Sequence, residues 1–199
     1  MKHLKTTVTD EVIIKKSRFI TIITPLKSEE EIFPILNDLR KEYPKATHYC
    51  YAYVLGTNGQ YAGSNDDGEP AGTAGVPILE VLKHNNLTNL IAVVIRYYGG
   101  IQLGAGGLVR AYSNGVSNAL KKADFFELIP ATKFLVIFNY DQINDVDYIL
   151  NDINIIDKSF EENVSYTIAI TDLDKFEEIK HHFQEIKKLE DFLLASNLK

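Results

Sequence analysis

The sequence predicts an α+β protein in two units, residues 1–128 and 129–199. Three observations predict it. An unbroken apolar run, Leu90 to Ile95, leads through a glycine-rich loop into a helical pattern, so strand, loop and helix follow one another in the first half. The final stretch of about 70 residues alternates strand and helix patterns in the order β-α-β-β-α-β. Between them the charge balance changes: residues 1–128 hold fourteen Lys/Arg against thirteen Asp/Glu, residues 129–199 seven against fourteen.

The elements are read in order. Thr6 to Ile14 and Ser17 to Thr24 are rich in β-branched residues and flank Lys15-Lys16, which predicts a hairpin with a basic tip of Lys15, Lys16, Ser17 and Arg18. Ser28 with Glu31 reads as a capping box that opens a helix near Glu29, and Ile32, Ile35, Leu36 and Leu39 share one face of it. Pro34 inside that pattern predicts a kink or a late start. Thr47 to Leu55 reads as a strand with His48, Cys50 and Ala52 on one face and Tyr49, Tyr51 and Tyr53 on the other. Asn58-Gly59 marks a turn. Asp66 to Gly75 is a polar loop, after which Thr73 is expected to cap a helix running to about His84, with Pro77 in its first turn. Leu90 to Ile95 is expected to be covered on both faces. A helix from about Gly107 to Ala123 closes the first unit, its face formed by Leu108, Ala111, Tyr112, Gly115, Val116, Ala119 and Leu120.

Pro130 sits at the change in charge balance and marks the expected boundary, near Leu128. Beyond it come a strand (Thr132 to Asn139), a helix (Gln142 to Asn151), two strands (Ile155 to Phe160, Val164 to Ile170) joined by a turn at Glu161-Glu162-Asn163, a helix (Leu173 to Glu185) and a strand (Lys188 to Leu194). That order is the split βαβ, ferredoxin-like plan.

Bulk properties narrow the function classes. Hydrophobic content of 45% is ordinary for a globular chain, and no apolar run approaches the ~20 residues of a membrane helix. The first ten residues lack the apolar core of a secretion signal, and a single cysteine fits a reducing compartment, so a cytoplasmic protein with no membrane contact is expected. Net charge is −6. The acidic second half will not attract a phosphate backbone by its bulk field, so contact with nucleic acid must come from a local patch on the first half.

One stretch carries such a patch: Arg96 to Ser113, R-Y-Y-G-G-I-Q-L-G-A-G-G-L-V-R-A-Y-S. Gly99, Gly100, Gly104, Gly106 and Gly107 permit close approach of a ligand. The first amides of the helix that follows stand at the positive end of its dipole, and Arg96 and Arg110 flank the loop. This is the chemistry of an anion site. It is not a known phosphate loop: a dinucleotide fingerprint from Gly104 and Gly106 needs glycine at Val109, and a P-loop from Gly99 and Gly104 needs lysine at Ala105. The alternative is a tight loop packed on the chain's own acids. Tyr97 and Tyr98 are candidates for stacking on bases, against the ordinary role of core packing. Asp66, Asp67 and Glu69 are acidic rim candidates. They lack the alternation of a metal loop, so no metal ion or other cofactor is expected, and pairing with Arg96 or Arg110 competes with any general-base role. His48 and Cys50 invite a nucleophile–base reading, but side chains two apart on a strand stand roughly 6.5 Å from each other. His48 and Arg18 are secondary site candidates, and no residue is assigned a catalytic role.

Four motifs, S-R-F-I (Ser17 to Ile20), A-T-H-Y-C-Y-A-Y (Ala46 to Tyr53), D-D-G-E-P-A-G-T-A-G-V-P-I-L (Asp66 to Leu79) and R-Y-Y-G-G-I-Q-L-G-A-G-G-L-V-R-A-Y (Arg96 to Tyr112), together resemble the YigZ/IMPACT family. The resemblance covers the first ~125 residues in the manner of a long motif match. It implies a first domain similar to the second domain of small-subunit ribosomal protein five, and a ferredoxin-like second domain similar to the last domain of elongation factor G. Eukaryotic relatives regulate translation through the activator of the starvation-sensing eIF2α kinase, with an extra domain that this sequence lacks, so that mechanism does not carry over. What the resemblance implies here is a cytosolic protein touching RNA, ribosome or a translation-machinery protein. The family commonly has lysine where this chain has Gln102 and phenylalanine where it has Tyr98, which removes one cation from the expected anion site. The rival expectation is a small-molecule phosphotransferase or hydrolase, with the Gly-rich loop on phosphate and Asp67 or Glu69 as base or magnesium ligand.

Overall fold

The structure, a computed structural model, describes residues 1–198 and is mixed α+β with two sheets. Its contacts divide into two units, one of Met1–Glu127 with the last residues from Asn197, the other Leu128–Ser196.

The first unit is built on β1 (Lys2–Leu4), β2 (Val8–Ile14), β3 (Ser17–Pro25), α1 (Ile32–Glu42), β4 (His48–Leu55), β5 (Tyr61–Asn65), α2 (Gly75–His84), β6 (Leu87–Thr88), β7 (Leu90–Tyr97) and α3 (Ala105–Leu120). Five strands form an antiparallel sheet in the order β2-β3-β7-β4-β5. The apolar run of β7 lies at its centre, and Leu90 to Ile95 are wholly buried. One face packs under α2 and α3, with Phe19, Cys50, Ala52, Val94, Ile78 and Tyr112 in that core. The other packs under α1, with Ile20, Tyr49, Ile91 and Val93. Period-two alternation thus sorts the His48/Cys50/Ala52 face of β4 from its tyrosine face, as expected. The hairpin turns at Lys15 and Lys16, both with positive φ (45° and 66°).

Several local expectations shift. Glu29–Glu31 form a single 3₁₀ turn that Ser28 does not cap with its side chain, and Glu31 accepts from the Lys27 N–H (2.9 Å) rather than from Ser28, so the box is not made. The α-helix then starts at Ile32, which places Pro34 in the first turn, where its missing N–H costs nothing. Thr73 does not cap α2. Its hydroxyl donates to the Pro70 carbonyl (2.6 Å), and the cap comes instead from Asp66. α3 starts at Ala105, two residues earlier than the pattern indicates, with Gly104 (φ 70°) as its N-cap. β1, β5 and β6 are short pairings that lack a strand's length of alternation.

The long β8 (Phe125–Phe138) runs through Pro130, which therefore does not end a strand. Pro130 lies between the residues that pair with β1 in the first unit, Phe125 to Glu127, and those that pair with β10 from Thr132 onward. The second unit adds α4 (Ile143–Ile149), β9 (Asn154–Phe160), β10 (Val164–Ile170), α5 (Leu173–Ile179) and β11 (Glu185–Asn197). β8 pairs with β10, β10 with β9, and β11 with β8. Val136, Phe138, Tyr166, Ile168 and Phe176 form its core. Among the described residues no helix is long and apolar enough to cross a membrane.

Candidate functional site

The site candidates meet at one end of the five-stranded sheet. Register places Phe19, Arg96 and His48 side by side across β3, β7 and β4. Phe19 fixes the face: all three lie on the side covered by α2 and α3. Their neighbours Arg18 and Tyr97, also paired, lie on the α1 side. Tyr97 donates its hydroxyl to the Pro44 carbonyl (3.2 Å), and Arg18 makes a bidentate pair with Glu11 (2.7 and 2.8 Å). Neither therefore joins the site, because consecutive residues of a strand cannot share a face.

Arg96 is 4% exposed. Its Nη1 donates to Glu69 Oε1 (2.6 Å), and Tyr112 donates its hydroxyl to the same oxygen (2.7 Å). The guanidinium lies 5.3 Å from the ring centres of both Phe19 and Tyr98, within cation–π range of each. Its Nε is buried with no acceptor among the described residues. The expectation of two free arginines is thus corrected for Arg96: a charge carried into the helix-covered face needs an internal counter-charge, and Glu69 supplies it.

The acidic loop is equally engaged. Asp66 takes the N–H groups of Gly72 (2.8 Å), Ala74 (3.0 Å) and Gly75 (2.7 Å), closing the N-terminus of α2. Burial pushes its carboxyl up, but those three amides outweigh burial and hold it below the usual aspartate range. Asp67 accepts from the Tyr49 N–H (2.6 Å) and from Arg40 (3.2 Å). The three acids organise the interior rather than form an open rim.

Cys50 faces the Asp66 carbonyl (3.0 Å) and the Tyr112 hydroxyl (3.4 Å), not His48. Burial pushes its thiol up to about 12, so the nucleophilic thiolate does not form near neutral pH. Burial likewise pushes the Tyr112 phenol up. His48 Nδ1 lies 2.8 Å from the Asp67 carbonyl, and since a carbonyl only accepts, Nδ1 carries the proton. His48 Nε2 stands 3.9 Å from Glu69 Oε1.

Above these groups lies a cleft of about 460 Å³, with His48, Glu69, Arg96 and Tyr98 on one side and Gln102 to Ala105 on the other. α3 opens onto it. No side chain among the described residues caps α3, and its first turn, Ala105, Gly106 and Gly107, precedes the first helical acceptor bond, from Leu108 N–H to the Gly104 carbonyl (2.9 Å). Gly99 is held where a Cβ would come within 2.1 Å of the Lys16 backbone, and its N–H donates to Ser17 Oγ (3.1 Å). Gly100 takes a positive φ of 83°. Arg110 is exposed on the far side of the first turn of α3, in a groove with Lys15 and Asn114, so the two arginines do not face one ligand. Thr47, Leu103 and Leu108 also line the cleft, and only their adjacence to His48 and the glycines signals them.

Four similarities to known proteins bear on this arrangement. The Impact N-terminal domain matches residues 15–120, which include every element of the cleft. The chain is 40% identical over 161 residues to IMPACT family member YigZ of Escherichia coli, covering 79% of each. It is 52% identical over 110 residues to IMPACT family member YvyE of Bacillus subtilis, covering 55% of this chain and 51%, about half, of that relative. A solved structure described as the crystal structure of a hypothetical protein aligns over 95% of this chain and 97% of its own, at 33% identity and a TM-score of 0.62.

Proposed function

The chain belongs to the IMPACT family, and from that premise we propose that it is a cytoplasmic, translation-associated binding protein, whose first unit takes an anionic group of its partner at the N-terminus of α3. The partner class, RNA, ribosome or translation factor, follows the family resemblance. One observation carries the choice of site. The two helices on the same face of the sheet begin differently: α2 has its amides taken by Asp66, and α3 has no internal cap and opens onto the cleft. Such an end, with no side chain at Gly104 or Gly106 to cover the backbone, favours a phosphate or carboxylate. Arg96, held by Glu69 and carrying an Nε with no partner among the described residues, lines the same cleft. Gly99 and Gly100 shape the loop, and Tyr98 and Arg110 flank it.

The phosphotransferase alternative loses its intended groups, since Asp66, Asp67 and Glu69 are engaged within the chain. Heat on titrating ATP and magnesium into the protein would restore it. The boundary near Leu128, and a first domain like the second domain of ribosomal protein five, belong to the same reading. So does a ferredoxin-like second domain, supported by the pairing of β11 with β8, β8 with β10 and β10 with β9.

Co-sedimentation with ribosomes across a salt series tests the function. Association at low salt is expected to fall as salt rises. Gln102 is exposed on the cleft, so Gln102→Lys should strengthen association and Gln102→Glu weaken it without disturbing the fold. Absence of association at low salt, or indifference to both changes, overturns the reading.

A further inference from the structure

We propose that the anion taken at this site is the backbone of single-stranded RNA, which continues past the first turn of α3 into a second, basic groove at the tip of the β2–β3 hairpin; this rests on the cleft reading above. The groove encloses about 280 Å³ and is lined by Lys15, Arg110, Asn114 and Gly107, with Leu103 as the ridge it shares with the cleft. No acidic residue lines it. Lys15, Lys16 and Arg110 are exposed, and none makes an ion pair among the described residues, whereas Arg18 and Arg96 do. The hairpin tip is fixed in place, because the Lys16 backbone packs on Gly99 at a distance that only glycine allows. Two anion-favouring sites therefore flank one ridge, an arrangement suited to successive phosphates rather than to a lone carboxylate.

Tyr98 favours RNA over an acidic protein. The residue is 46% exposed, with the Arg96 guanidinium over its ring. An aromatic platform held by a buried cation beside phosphate sites is how single strands are bound without base pairing: the base stacks, and the backbone follows the positive groove.

The test is fluorescence anisotropy of a labelled mixed-sequence RNA oligonucleotide with the full chain across a salt series, with polyglutamate as the second probe. The groove variant combines Arg110→Ala with Lys15→Asn and Lys16→Asn, asparagine tolerating the positive φ there. A thermal melt checks that it folds. The plot of log affinity against log salt is expected to become shallower by about 2, since each phosphate of a single strand that is no longer neutralised removes about 0.7 from the slope. Tyr98→Ala is expected to weaken binding roughly tenfold, with Tyr98→Phe near wild type. If RNA binds and responds to Gln102→Glu but not to the groove variant, the second groove is overturned and the cleft stands. If ribosomes or polyglutamate bind while RNA does not, the RNA assignment is overturned. If none binds, both readings fall together.

Discussion

Two loops of the first unit end in helices on the same side of one sheet, and they finish differently. Asp66 to Gly75 turns its own carboxylate back onto the amides of Gly72 in the loop, Ala74 at the N-cap and Gly75 at the first position of α2. Gly99 to Gly104 brings no side-chain hydrogen bond to the start of α3; only Leu103 packs there, against Gly107. The α2 end shows what this chain does with a helix N-terminus that has only a structural role: it satisfies the amides from within. By that internal standard the α3 end fits the proposed binding of a group outside the chain, since uncapped first-turn amides are otherwise a loss of stability. The arginines follow the same division: Arg96 is held inside by Glu69, and Arg110 stays outside.

The largest expected effect tests the inward half of that comparison. Glu69→Ala removes the counter-charge of a guanidinium that is 4% exposed. Breaking a buried pair on one side costs about 3–5 kcal/mol. For a chain of this size each kcal/mol lowers the melting temperature by roughly 2–4 °C. Calorimetry of the full chain measures it, and a loss below about 1 kcal/mol, the range of exposed pairs, would mean that Arg96 is free after all. Asp66→Ala comes next, at about 1–2 kcal/mol for a missing cap. Hydrogen exchange should quicken at Gly72, Ala74 and Gly75 while the amides of Ala105 to Gly107 keep their rates. Equal acceleration at both ends would remove the contrast between them.

A smaller effect appears in the pH dependence. The folded pKa of Asp66 lies below its unfolded value, so its contribution is complete above the usual aspartate value of 3.8 and is lost as pH falls through the lower folded value. The stability gap between wild type and Asp66→Asn should therefore be constant from neutral pH down to about 5 and shrink only below the unfolded value. A gap already closing near pH 6 would point to a different titrating group.

Much of this was legible in the residues. Leu90 to Ile95, the alternation at His48 to Tyr53 and the helical face of α3 follow from hydrophobic period alone, because burial decides them. The glycine loop stands out in the sequence as a candidate site because no core pattern crosses it. The pairing of Arg96 with Glu69 was one of two open readings, since it depends on Asp66 to Pro70 folding back onto β7, a contact across 27 positions. That Tyr97 leaves the site needed only the alternation of β7, once that strand was extended beyond Ile95 to Tyr97. The cap from Asp66 was not legible: Thr73 had the right spacing, and a carboxylate nine positions from Gly75 took its place. Long-range hydrogen bonds have no sequence period, so no pattern in the residues announces them.

The smallest change in stability gives the sharpest test, because it moves stability and binding in opposite directions. Gly106 sits in the first turn of α3, and a Cβ there would meet only Arg110 Nη1, at 3.9 Å. Gly106→Asp thus has room, and it installs at α3 the internal carboxylate that Asp66 supplies to α2. Replacing glycine within a helix and placing a negative charge at the positive end of the dipole together should stabilise the first unit by roughly 0.5–1.5 kcal/mol. The same carboxylate occupies the amides and repels an incoming anion, so association with ribosomes should fall sharply. Gly106→Ala separates the two contributions: it keeps the helix gain and leaves the amides open, so binding should stay near wild type. If Gly106→Asp stabilised the protein without weakening association, the start of α3 would be as structural as the start of α2, and the partner would engage another surface.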